Sequence, residues 1–182
     1  IISGLVGSEM CIRDRDMANE SSIKACAINP VLVLGPSMSG ILSMSNRLTV
    51  KKIFSLPVVP DVSISVVGVQ DVAEAHVMAM ENKNANGKRF LLSEKTIKLK
   101  DLSNILKSAG FKKVPTLVIP SFLLKFVALF TPSLKMIAKR LGKEEKLHTN
   151  NANNILGWYP NRVDSEIINS AKQLYETGLL KK

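Results

Sequence analysis

Few side chains in this 182-residue sequence are of a kind and spacing that could do chemistry. His76 and His148 stand far apart, and neither sits in a cluster with metal-ligand spacing. His76 lies five residues beyond Asp71 in a helical pattern, with no Ser or Cys beside it to activate, and reads as a structural histidine. Cys11 and Cys26 give neither a disulfide framework nor paired ligand spacing. Neither a metal site nor a catalytic residue is expected. Gly4-Leu5-Val6-Gly7 has the wrong spacing and context for a Gly-rich phosphate turn.

The elements that must position such groups alternate in type. Ile23 to Leu34 is a nearly continuous apolar run closed by Gly35-Pro36, the pattern of a strand buried on both faces of a parallel sheet. Pro30 inside it predicts a strand end near Asn29, with Pro30 just beyond. Gly40 to Leu56 is broadly helical, and Val62 to Val69 reads as a short strand. Asp71 is expected to N-cap the cleanest helix in the chain, with Glu74 completing a capping-box-like pair. Asn84 to Gly87 is a turn, and Lys88 to Ser93 a second apolar strand. This order predicts an α/β fold.

From Thr96 the character becomes mainly helical. Leu99 to Ala109 has helical spacing and ends at Gly110, and Val114 to Ile119 is a strand or extended segment. Pro120 and Thr131-Pro132 open two further helices, Asn150 to Leu156 a short one, and Asp164 the last. The stripe of that last helix is Ile167, Ile168, Ala171, Leu174 and Tyr175.

Composition bounds the rest. Apolar residues make up 46% and charged residues 22%, ordinary for a soluble domain, and two unpaired cysteines fit a reducing, cytoplasmic setting. No run of apolar residues is long enough to span a bilayer. The net charge of +10 comes with only 5% aromatics and no Arg-rich run, so no nucleic-acid partner is expected. Ser121 to Phe130 is apolar apart from Lys125 and is followed by a basic stretch. Such a pair could lie on an anionic membrane. Burial against another lobe or partner is the favoured alternative, and no membrane partner is expected. Residues 1–15 make a poor signal peptide, since they lack a positive start. Within them GSEMCIRDR resembles translated adaptor read-through, so the segment is expected to be non-native.

Three blocks carry a family resemblance. Asn29-Pro30-Val31-Leu32-Val33-Leu34-Gly35-Pro36 is similar to the segment after the catalytic helix of extended short-chain dehydrogenases/reductases. Val69 to His76 resembles the block opening the penultimate helix of their nucleotide domain, and Ile155-Leu156-Gly157-Trp158 with the final helix resembles the end of their substrate domain. The likeness runs from roughly Ser22 to Leu180 and leans towards dihydroflavonol-reductase-like and methylglyoxal-reductase-like members. It implies the C-terminal part of a doubly wound NAD(P)-binding Rossmann fold at residues 16–95 and a small, mainly helical substrate-binding lobe at 96–182.

The resemblance also implies roles. Ligands of such sheets sit beyond the carboxyl ends of the strands. Asn29, Pro30 and Val31 would face a nicotinamide there, Val31 bonding the carboxamide through its main chain; plain strand termination is the alternative. Ser45 would contact the pyrophosphate of NADP or NAD, where unpaired N–H groups and the dipole of a helix start favour an anion; an ordinary surface serine is the alternative. Met38 would line the substrate pocket, or else be a core methionine. The family's Tyr with a Lys four residues later is missing: Tyr159 is followed at that spacing by Val163, and Tyr175 by Leu179. Gly68 and Gln70 stand where relatives usually carry Asp and Arg. The implied function is reduction of an aldehyde or ketone by a protein of which this chain is a C-terminal fragment, inactive alone. A relative acting on a sterol or nucleotide-sugar, or a non-enzymatic basic binding protein, are the competing readings. The apolar strand from Ile23 would lack one neighbour, and self-association through that edge is expected.

Overall fold

The computed structural model describes residues 13, 16–17, 20–21, 23–41, 43–130, 141–142 and 147–180, without the side chains of 125 and 127–130. Apart from Arg13, the adaptor-like start lies outside the described residues, as does most of the helix expected from Thr131. In chain order the elements are β1 (Ala27–Pro30), β2 (Leu32–Leu34), α1 (Met44–Asn46) continuing as a π-helical turn over Arg47–Lys51, β3 (Val59–Pro60) and β4 (Ser63–Gly68). There follow α2 (Val69–Glu81), β5 (Arg89–Leu92), β6 (Lys95–Lys98), α3 (Leu99–Ser108), β7 (Val118–Ile119) and α4 (Ser121–Phe130). A second π-helical turn, Ala152–Leu156, precedes α5 (Val163–Glu176).

The long apolar run folds as two strands rather than one. β1 lies parallel to β5, Ala27 opposite Arg89 and Pro30 opposite Leu92. At Val31 the chain changes partner, and β2 runs parallel to β4, with Leu32 opposite Val66. Pro30 is the last paired residue of β1, not the first beyond it. The amides of Ala27 and Val31 donate to the carbonyls of Lys88 and Leu92 at 2.9 and 3.0 Å. Alternate residues face the partner, so the N–H that Pro30 lacks falls on the outer edge, where no ladder bond is lost. β6 pairs antiparallel with the other side of β4, and β3 pairs in parallel with β7. The strand at Lys95–Lys98 was not anticipated from the sequence, and Val114–Ile119 is strand only over its last two residues.

Side chains alternate across β4, and each face has its own core. Val66 packs with Leu34, Val50, Ile97, Leu106 and Ile167, beneath α3 and α5. Val67 packs with Val72, Ala75, Phe90, Leu92 and Trp158, beneath α2. The sheet is thus covered on both faces around β2 and the second half of β4, where the residues are apolar in succession. Packing runs without a gap through Lys95 and Thr96, because Ile97 and Leu102 share a core with Leu34 and Val66.

The start of α2 departs from the sequence reading. The helix begins at Val69, two residues before Asp71, and its N-cap is Gly68 in extended backbone (φ −73°, ψ 142°) with no side-chain cap. Asp71 is therefore a first-turn residue, and its carboxylate turns inward to Arg162 instead of back onto the helix. Glu74 also meets Arg162 and closes no capping box. Trp158 seals this junction: it is 1% exposed, and its indole N–H donates to the Asp71 carbonyl at 2.8 Å. It is the single tryptophan of the chain, so its fluorescence reports this core alone. Trp158→Ala is expected to lower unfolding free energy by about 3–5 kcal/mol, measured by urea denaturation followed by circular dichroism. A change below about 1 kcal/mol would show that the junction does not depend on the indole.

Candidate functional site

β1 ends and β2 begins at Asn29-Pro30-Val31, and the chain then turns at Gly35. The Asn29 amide oxygen accepts from Arg89 Nε on β5 at 2.9 Å, which ties the two strand ends together. Val31 gives its N–H to Leu92, so of its two main-chain groups the carbonyl is the one left to meet a ligand. Gly35 has φ of +149°, and a Cβ there would sit 2.2 Å from Val69 Cγ1. Only glycine lets this turn lie against the start of α2.

The turn after β2 is held from two sides. Asn46, buried in α1, donates through Nδ2 to the Gly35 carbonyl at 2.6 Å. Gln173 of α5 grips Ser37 reciprocally: it accepts from the Ser37 N–H at 2.8 Å and donates to its carbonyl at 2.6 Å. Met38 follows, with its side chain fully exposed (107%), neither in a core nor in a closed pocket. Ser43 caps α1, its hydroxyl accepting from the Asn46 N–H at 3.2 Å. Ser45 lies in this first turn, half-buried; its carbonyl accepts the Thr49 hydroxyl. The Ser45 hydroxyl makes no hydrogen bond among the described residues. An open hydroxyl beside the first amides of a helix suits a phosphate oxygen. The Asn46–Gly35 bond brings this helix start to the turn that follows Asn29–Val31. The donor set therefore fits a dinucleotide at both points, with Val31 serving as acceptor only.

The structure brings in residues that the sequence reading did not single out. Arg162 donates from Nη1 to Asp71 at 2.9 Å and to Glu74 at 2.6 Å, and its backbone N–H donates to Asp71 at 3.2 Å. The hydrogen bond that Arg162 donates to Glu74, and then the charge of Asp71, hold the Arg162 guanidinium above its ordinary pKa. Glu166, one turn along α5, is buried against Gly35 and Gly68. A Cβ on Gly68 would lie 2.9 Å from Asp71 Oδ2 and 3.2 Å from Glu166 Cγ, so this glycine makes room for two acids. The departure at Gly68 was visible in the sequence; its crowding by Arg162 and Glu166, more than ninety residues on, was not. His76 bonds locally, its Nδ1–H donating to the Val72 carbonyl at 2.8 Å, in keeping with a structural role. Among the described residues no group of His, Cys, Asp and Glu could hold a metal ion.

Burial pushes the Glu166 carboxyl up, and the charge of Asp71 pushes the same way; the Gln70 amide and the charge of Arg162 pull against them. A carboxyl raised on folding favours its protonated form in the native state. Its stabilising effect is therefore complete below its unfolded value and is lost as pH rises through the folded one. Glu166→Gln is expected to raise the melting temperature at pH 7 by about 2–4 °C, with the gain vanishing near pH 4. Melting curves across that range check it; a variant that melts lower at pH 7 would mean that the charged carboxylate stabilises the fold.

No family model matches the chain. A cinnamoyl-CoA reductase of Medicago truncatula is 34% identical over 88 residues, 48% of this chain and 27% of that enzyme. Yeast methylglyoxal/isovaleraldehyde reductase Gre2, solved in complex with NADPH, superposes with a TM-score of 0.68 at 19% identity, covering 95% of this chain and 54% of its own. A nucleoside-diphosphate-sugar epimerase from Pseudomonas aeruginosa, PA4631, gives 0.71 at 16% identity over 95% of this chain and 55% of its own. The chain thus spans about half the length of these structures and about a quarter of the curated reductase. It shares the fold of these two enzymes across nearly its whole length and resembles the curated reductase over 88 residues.

Proposed function

We propose that the chain supplies one wall of the cofactor site, and the substrate lobe, of a reductase that uses NADP or NAD to convert an aldehyde or ketone to an alcohol. The observation that carries this reading is the Asn46–Gly35 bond, which joins the Ser45 helix start to the turn following Asn29–Val31. In this reading the Ser45 hydroxyl donates to the pyrophosphate, the Val31 carbonyl accepts from the carboxamide, and Met38 borders the substrate. Bound nicotinamide would supply the hydride. Residues 16–95 belong to the nucleotide unit and 96–182 to the substrate lobe. Since neither Tyr159 nor Tyr175 has a lysine one turn on, this chain offers no tyrosine to exchange a proton with the carbonyl oxygen. Small aldehydes and ketones fit better than sterols or nucleotide-sugars because the curated match is to a reductase.

Two measurements check the reading. The isolated chain should bind NADPH weakly without oxidising it in the presence of methylglyoxal, and Ser45→Ala should weaken that binding by about fivefold in a fluorescence titration. Turnover by the isolated chain, or an unchanged affinity in the variant, contradicts it. No described strand pairs with the outer edge of β1, and this edge is proposed to drive self-association. Light scattering should give a mass above the 19.9 kDa of one chain at micromolar concentration; a monodisperse monomer counts against the edge.

A further inference from the structure

We propose that Glu166 is a positioning residue for the turn after β2: as a neutral acid it lets α5 seat against that turn, and as a carboxylate it pushes the helix away. Glu166 is 1% exposed, and neither of its oxygens has a hydrogen-bonded partner. It fills a slot between two glycines. A Cβ on Gly35 would lie 2.9 Å from its Oε2, and one on Gly68 would lie 3.2 Å from its Cγ. Further along α5, Gln173 clamps Ser37 through both its N–H and its carbonyl. The spacing from Glu166 to Gln173 is close to two full helical turns, so both side chains leave α5 on the side that faces the turn. Between them they hold it at two points, Gly35 and Ser37.

Charge decides whether Glu166 can stay in its slot. The charged groups acting on it are Asp71 from α2 and Arg162 from the chain entering α5. β2, the turn and β4 carry no titratable side chain. Arg162 is already committed, since its Nη1 donates to Asp71 at 2.9 Å and to Glu74 at 2.6 Å. The Gln70 amide, though near enough to favour the ionised form, closes no hydrogen bond on it. A third carboxylate here would therefore be a buried charge without a cation of its own, whereas the neutral acid carries no such penalty. The seated state binds the proton and the lifted state releases it to water, so rising pH moves the balance from seated to lifted. The bearing of this on cofactor binding rests on the reading of the turn as part of the cofactor wall; the seating of α5 does not.

The test follows the turn and the cofactor separately. Met38, fully exposed next to Ser37, can carry a nitroxide through Met38→Cys, with Cys11 and Cys26 replaced by Ser. In electron spin resonance the label should become about threefold more mobile as pH rises from about 5 to about 9, and Glu166→Gln should keep it slow throughout. Gln173→Ala should leave it mobile at every pH. NADPH affinity is measured on unlabelled protein by fluorescence, as the ratio of Glu166→Gln to parent at each pH. The ratio should be near one in acid and about fivefold in favour of the variant in alkali, since a turn closed in about one molecule in five weakens binding by that factor. A label that moves alike in parent and Glu166→Gln, or that ignores pH in the parent, overturns the proposal. A label that responds while the affinity ratio stays flat supports the seating of α5 by Glu166 and instead contradicts the cofactor reading of the turn.

Discussion

The structure hinges on one buried carboxylate. Asp71 sits in the first turn of α2, and Arg162 satisfies both of its oxygens, one through the guanidinium and one through the backbone N–H. The Asp71 carbonyl receives Trp158, so a single residue ties the sheet, α2 and the approach to α5 together. Because the Asp71 side chain is buried while that of Arg162 is 40% exposed, removing Arg162 would leave an uncompensated buried carboxylate, which is far costlier than never having had the pair. The glycines at 35 and 68 follow from the same crowding: side chains there would occupy the space that Val69, Asp71 and Glu166 fill.

The candidate cofactor wall rests on this junction at one remove. Gly35 lies against Val69 at the start of α2, Asn46 holds the Gly35 carbonyl, and Gln173 holds Ser37. The turn beside the candidate residues is thus fixed by side chains of α1 and α5, the kind of scaffold that leaves main-chain groups little freedom to lose.

What could be read from the sequence was local. Alternating apolar segments and turn signals gave the α/β order, but the apolar run from Ile23 to Leu34 forms strand only from Ala27, and β1 within it is half-buried rather than buried on both faces. The break at Val31 was illegible, because the change of partner is dictated by where β4 and β5 lie and not by anything in the run itself. Asp71 had every mark of an N-cap, yet long-range pairing with Arg162 outweighed the local capping bond and the helix started at Val69. Asn29, Val31 and Ser45 are candidates through a family likeness alone; Asn46 and Gln173, which fix the turn beside them, carry no such mark, since an amide in a helix looks the same whether it faces water or a distant carbonyl.

The Gln173–Ser37 clamp spans 136 residues, and the Arg162–Asp71 pair spans 91. A chain made from its N-terminus therefore emits the turn after β2 long before the helix that fixes it. Such late, distant closure slows folding and leaves the turn loose until α5 docks. The coupling also runs backwards: if α5 opens locally, the turn loses its anchor while the sheet stays intact. A ligand that needs the turn in its fixed shape would in turn hold α5 down, so the last helix would report, through its exchange with solvent, what is happening at the end of the first strand.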